Sequence, residues 1–92
     1  MNDMTFSEAL DALKGGVCIA RRGWNGQGMY LYLVSSSEFY VSRAPLNRIL
    51  PEGERVNYRA HIDMRTAQGD HVPWVASQSD LLAEDWITVD TK

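Results

Sequence analysis

The sequence predicts a small α+β domain in which an antiparallel sheet carries an N-terminal helix and a short C-terminal helix. Three observations predict it: a capped amphipathic stretch near the start, several short alternating or β-branched runs separated by Gly, Asn and Ser, and a second capping pattern at Ser77 ahead of a closing β-branched run. With 92 residues, the chain has room for one hydrophobic core, so residues 1–92 read as a single domain. At this size the core is modest, and pairing with another copy adds useful stability.

Thr5-Phe6-Ser7-Glu8 has capping-box spacing, and Phe6, Ala9, Leu10 and Leu13 form one apolar stripe. Gly15-Gly16 stops the helix after Lys14, so the expected helix covers residues 6–14. A short strand over Val17 to Ala20 follows, then a loop containing Asn25-Gly26, a strong hairpin signal. The return strand, Met29 to Val34, alternates an aliphatic face (Met29, Leu31, Leu33) with an aromatic one (Tyr30, Tyr32), so both faces suit a cover.

From Ser35 to Asn57 the pattern weakens. Phe39-Tyr40-Val41 reads as a short strand, and Leu46, Ile49 and Leu50 fit one helical turn. Tyr58, Ala60, Ile62 and Met64 alternate with Arg59, His61, Asp63 and Arg65, which predicts one half-buried strand. Residues 66–70 turn the chain into a strand at His71 to Trp74, where Pro73 argues for an edge. Ser77 and Asp80 repeat the capping pattern before Leu81, Leu82 and Ala83, and Trp86 to Val89 closes as a strand.

Nine Lys plus Arg against twelve Asp plus Glu give a net charge of −3. A protein that grips polymeric DNA or RNA through many phosphates needs the opposite balance. Seven of the nine cations are Arg, a side chain suited to bidentate recognition of a compact phosphate. The single cysteine, Cys18, excludes an intramolecular disulfide and a cysteine-rich zinc site. No basic-then-apolar leader opens the chain and no run nears 18 apolar residues, so the reading is a soluble cytoplasmic protein without a membrane partner.

An enzyme needs a nucleophile with its base, a metal cluster or paired carboxylates. Cys18 sits in an apolar strand, where a small buried thiol is the ordinary outcome. His61 and Asp63 share a strand face, yet only His71 offers another imidazole, so no metal site is expected. Asp80, Glu84 and Asp85 bracket the short helix, where capping and solvation explain Asp80 and Glu84. No phosphate-loop, dinucleotide or nucleophile-elbow motif is present.

A binding role draws on more of the chain. Trp24 and Asn25 on a loop, with Trp74, Ser77, Gln78 and Asp80 around a strand-to-helix junction, combine flat rings with amide, hydroxyl and carboxylate groups, the inventory that holds a purine. The same tryptophans also suit a small core, and Trp86, inside a β-branched run, suits it best.

The segments Thr5-Phe6-Ser7-Glu8-Ala9-Leu10, Arg22-Gly23-Trp24-Asn25-Gly26, Met29-x-Leu31-x-Leu33 and Met64-x-Thr66-Ala67-x-Gly69 resemble the Thoeris anti-defence two family of phage proteins. The most specific stretch is Val72-Pro73-Trp74-x-Ala76-Ser77-Gln78-x-Asp80-Leu81-Leu82-Ala83-Glu84-Asp85-Trp86, while residues 35–57 contribute no motif to the resemblance. The resemblance implies a phage-encoded sponge in the host cytoplasm. It would trap a cyclic ADP-ribose-type signal made by bacterial TIR-domain enzymes, chiefly glyco-cyclic ADP-ribose, without cleaving it and without a cofactor. It further implies a homotetramer with pockets between subunits, and in some members a hold on cyclic dinucleotides. Carried over by motif, the ligand-site residues are Trp24, Asn25, Trp74, Ser77, Gln78, Asp80 and Asp85, with Arg22 beside them. The rival readings are a small hydrolase using Asp80 or Asp85 as base, and a phage adaptor burying Trp24 and Tyr32 in a host protein.

Overall fold

The computed structural model describes residues 3–24 and 27–91. Helix α1 spans Phe6–Lys14 and starts where the capping box requires: the Glu8 amide donates to Thr5 Oγ1 at 3.3 Å, and the Thr5 amide donates to Glu8 Oε1 at 2.9 Å. Two orphan amides of the first turn are thereby satisfied. Gly15 caps the other end.

Strands β1 (Cys18–Arg21), β2 (Tyr30–Val34), β5 (His61–Arg65), β6 (His71–Pro73) and β7 (Trp86–Val89) form one antiparallel sheet in the order β6-β5-β2-β1-β7. β3 (Ser37–Tyr40) and β4 (Arg55–Tyr58) pair separately as a two-stranded arm. A 3-10 turn at Leu46–Arg48 lies within that arm. Helix α2, Gln78–Leu82, is capped by Ser77, whose Oγ accepts from the Asp80 amide at 3.0 Å while Asp80 Oδ2 accepts from the Ser77 amide at 3.2 Å.

The register sorts the sheet's residues by face. Ile19 pairs with Leu31, Leu31 with Met64, and Arg21 with Trp86, so these side chains share one face. α1 packs there: Ala9, Leu13, Ile19, Leu31 and Trp86 are fully buried together. Phe6, Trp24, Trp74 and Met64 pack around them, and burying each large side chain of this group contributes about 1.5–3 kcal/mol. Met4 clips the chain to β7, its amide donating to the Trp86 carbonyl at 2.7 Å. The other face carries Ala20, Tyr30, Tyr32, Arg65, Ile87 and Val89, and among the described residues no helix covers it.

Several boundaries differ from the sequence reading, for local reasons. The expected strand at 58–65 is two strands, because Tyr58 ends β4 in the arm and the chain breaks at Arg59 and Ala60 before β5 joins the main sheet. Alternation alone does not reveal a change of sheet. β3 covers Ser37–Tyr40 rather than 39–41; Val41, just beyond it, is buried, its amide donating to the Glu54 carbonyl at 2.8 Å and its carbonyl accepting from the Gly53 amide at 2.9 Å. Cys18 is half-buried rather than buried, since its strand position faces the open side. The β1–β2 connection runs from Arg22 to Met29 and is longer than a two-residue hairpin turn; Asn25-Gly26 lies outside the described residues. Pro73 does sit on an edge strand.

Candidate functional site

The expected site residues gather where β1, its following loop and α2 meet. At their centre is Arg21, the last residue of β1, which the alternation turns toward the face bearing Ile19 and Trp86. Its Nη1 donates to Asp80 Oδ1 at 3.0 Å and its Nε to Asp85 Oδ1 at 2.9 Å. Asp85 Oδ2 accepts from the Gly23 amide at 2.9 Å. A Cβ on Gly23 would stand 2.8 Å from that oxygen, so glycine lets the loop close on the carboxylate.

These contacts set the charge of both acids. Burial pushes the Asp80 carboxyl up, but hydrogen bonds from Arg21, Ser77 and the Trp24 side chain outweigh it and hold the group below the ordinary carboxylate range. For Asp85 the Arg21 bond dominates, opposed by burial and helped by the Gly23 amide, and the result is again a lowered pKa. Both are firmly ionised near neutrality and engaged by a cation. A general base working near neutral pH has a pKa raised toward that pH, the reverse of this arrangement.

The aromatic part is continuous. Trp86, fully buried, donates its indole N–H to the Asp80 carbonyl at 3.0 Å. Trp24 stands edge-on to it with centroids 5.5 Å apart, Trp74 edge-on at 6.2 Å, and Phe6 tilts against Trp86 at 5.3 Å and Trp74 at 6.1 Å. Trp24 and Trp74 are half-buried, so each has ring surface fixed by the core and ring surface left to solvent.

The structure thus brings Trp24, Trp74, Ser77, Asp80 and Asp85 into one neighbourhood. Gln78 is exposed in the first turn of α2. Arg22 points away on the surface, in an ion pair with Asp3 at 2.6 Å. Asn25 lies outside the described residues. His61 Nε2 is 3.7 Å from Asp63 Oδ1, and no cluster of three or more metal-ligating side chains occurs among the described residues.

Sequence reasoning missed two features. Arg21 was not singled out, although a charged residue ending an apolar strand two positions after a core Ile was a usable signal. The second is an open concavity of about 550 Å³ on the uncovered sheet face, where Trp24 meets Arg22, Tyr30, Arg65, Ile87 and Val89. Its lining comes from four strands, the β1–β2 connection and the residues after β7, which no local pattern connects. A further hollow of about 380 Å³ lies in the arm between Phe39, Tyr40, Arg43 and Tyr58.

Fold and site define the class: a small α+β domain whose half-buried tryptophans, Trp24 and Trp74, sit beside an Arg–carboxylate node. The family model for the Thoeris anti-defense 2-like domain matches residues 4–89. A curated relative, Thoeris anti-defense 2 of Bacillus phage SP01, is 40% identical over 86 residues, covering 90% of this chain and 91% of its own length. The chain belongs to the Thoeris anti-defense 2 family, an anti-defence family with a phage-encoded member. No helix among the described residues is long and apolar enough to cross a membrane.

Proposed function

We propose that this protein acts in the host cytoplasm as a phage anti-defence sponge that binds and sequesters a cyclic ADP-ribose-type signal, glyco-cyclic ADP-ribose, without cleaving it. The carrying observation is the pair Trp24 and Trp74, both locked edge-on against the buried Trp86 with part of each ring left uncovered. A ring fixed beforehand stacks on adenine without losing rotamer freedom, and such stacking contributes about 1–3 kcal/mol per base. Ser77, Gln78 and Asn25 supply hydroxyl and amide groups for the ribose edges, with Asp80 and Asp85 beside them. Family membership supports the same reading.

The lowered pKa values of Asp80 and Asp85 support binding over hydrolysis, since both acids are committed to Arg21. The uncovered sheet face, with Tyr30, Tyr32, Ile87 and Val89, is the surface that self-association into a tetramer would cover, which would bring the Trp24 concavity to a subunit boundary. Calorimetric titration with glyco-cyclic ADP-ribose tests the proposal: saturable binding supports it, and heats no larger than dilution reject it.

A further inference from the structure

Of the three arginines that line the concavity, Arg65 is the one with no ion pair among the described residues. The other two arginines lining the concavity are neutralised, Arg21 by Asp80 and Asp85 and Arg22 by Asp3. Among the described residues Arg65 has no carboxylate partner at ion-pair distance. Instead it is held by neutral groups. Its Nη1 donates to the Gly28 carbonyl at 2.7 Å, and its guanidinium carbon lies 6.0 Å from the centre of the Tyr30 ring, its neighbour in the β2–β5 register.

The glycine turn at Gly28 makes room for this head group, and a second at Gly69 stands beside it. Gly28 has φ +75° and Gly69 φ +94°, backbone that other residues rarely adopt. A Cβ on Gly28 would come within 2.7 Å of Nη1, and one on Gly69 within 3.7 Å of Nη2. The result is a guanidinium fixed in place, half-buried, with its charge uncompensated and facing a concavity that also contains Trp24. Orienting an Arg fork in advance while leaving its charge unpaired is what recognition of a phosphate oxyanion requires.

We propose that Arg65 is the phosphate-binding residue of the Trp24 concavity and takes the diphosphate of a nucleotide ligand. This deepens the sequestration reading and rests on it for the identity of the nucleotide, while the anion site stands on the geometry of Arg65 alone. The Tyr30 ring lies beside the guanidinium, and Trp24, which lines the same hollow, offers a ring for the base.

The test titrates wild type, Arg65→Met and Arg65→Gln with glyco-cyclic ADP-ribose, adenosine and pyrophosphate, with melting curves on the same samples. Gln removes the charge and shortens the side chain but keeps a polar amide, so it carries the test if the Met variant fails to fold. The expected result is a roughly 10- to 100-fold loss for the charged nucleotide in both variants, together with collapse of its advantage over adenosine, the worth of a charge-assisted hydrogen-bonded pair. Unchanged affinity, or a parallel loss for adenosine, overturns the proposal. If wild type does not bind glyco-cyclic ADP-ribose, the sequestration reading fails, and pyrophosphate decides the Arg65 site separately. Pyrophosphate binding that disappears in Arg65→Gln supports the site; binding that persists there, or that is missing from wild type, overturns it.

Discussion

Arg21 and Asp85 lie 64 positions apart and meet at 2.9 Å, with the Nε–H of the guanidinium donating to Oδ1 of the carboxylate. Through this bond the end of β1 holds the segment that leads from α2 into β7, and the other oxygen of Asp85 closes the loop before Trp24. The position of the Trp24 ring therefore depends on an ion pair as well as on packing.

Removing Arg21 tests that dependence. Arg21→Met leaves two partly buried carboxylates facing each other without a cation, and the expected loss of stability is about 1–3 kcal/mol. Adding Asp80→Asn and Asp85→Asn to the same chain should recover part of the loss. Urea unfolding of the single, double and triple variants measures both effects, and fully additive costs would contradict a shared node.

The same pair sets a pH dependence. Asp80 and Asp85 have folded-state pKa values below their ordinary value of 3.8, so folding favours their ionised forms. Their contribution is complete above the unfolded pKa and is lost as pH falls through the folded values. Stability should therefore hold from neutrality down to the ordinary carboxylate range and decline below it, less steeply in Asp85→Asn. Denaturation midpoints recorded across that acid range check the slope.

The tryptophans should separate by role. Trp86→Ala removes a fully buried ring and its bond to the Asp80 carbonyl, at a cost of about 3–5 kcal/mol of stability. Trp24→Ala and Trp74→Ala should cost less stability and instead weaken nucleotide binding roughly 5- to 150-fold. Melting temperature and affinity read on one preparation distinguish the cases. If the Trp24 and Trp74 variants melt as low as Trp86→Ala and bind normally when folded, the stacking role is wrong.

Self-association has its own readout. Light scattering at micromolar concentration should give a mass near four times the 10.4 kDa chain. Charged residues placed at Ile87 and Val89, on the uncovered face, should lower it. A wild-type monomer would contradict the shared-pocket arrangement.

Much of the architecture was legible in the sequence because it is local. α1 falls at residues 6–14 since its cap, stripe and glycine stop are all within ten residues, and Ser77 and Asp80 announce α2 by the same chemistry. Trp86 was recognisable as core from its β-branched run. The arm was not, because Tyr58 and Ile62 alternate in phase although they belong to different sheets. The grouping of Trp24, Trp74, Ser77, Asp80 and Asp85 was available from motif resemblance. The Arg21 node and the setting of Arg65 were not, since both depend on pairing between strands distant in sequence.

A sponge must hold its nucleotide without changing it. The direct measurement is to incubate the protein with lysate from cells whose TIR enzyme is active, wash, denature, and identify the released molecule by mass spectrometry. Intact glyco-cyclic ADP-ribose in near-stoichiometric amount is the expected product of release. Release of a linear hydrolysis product, or of no nucleotide at all, would contradict the sponge reading.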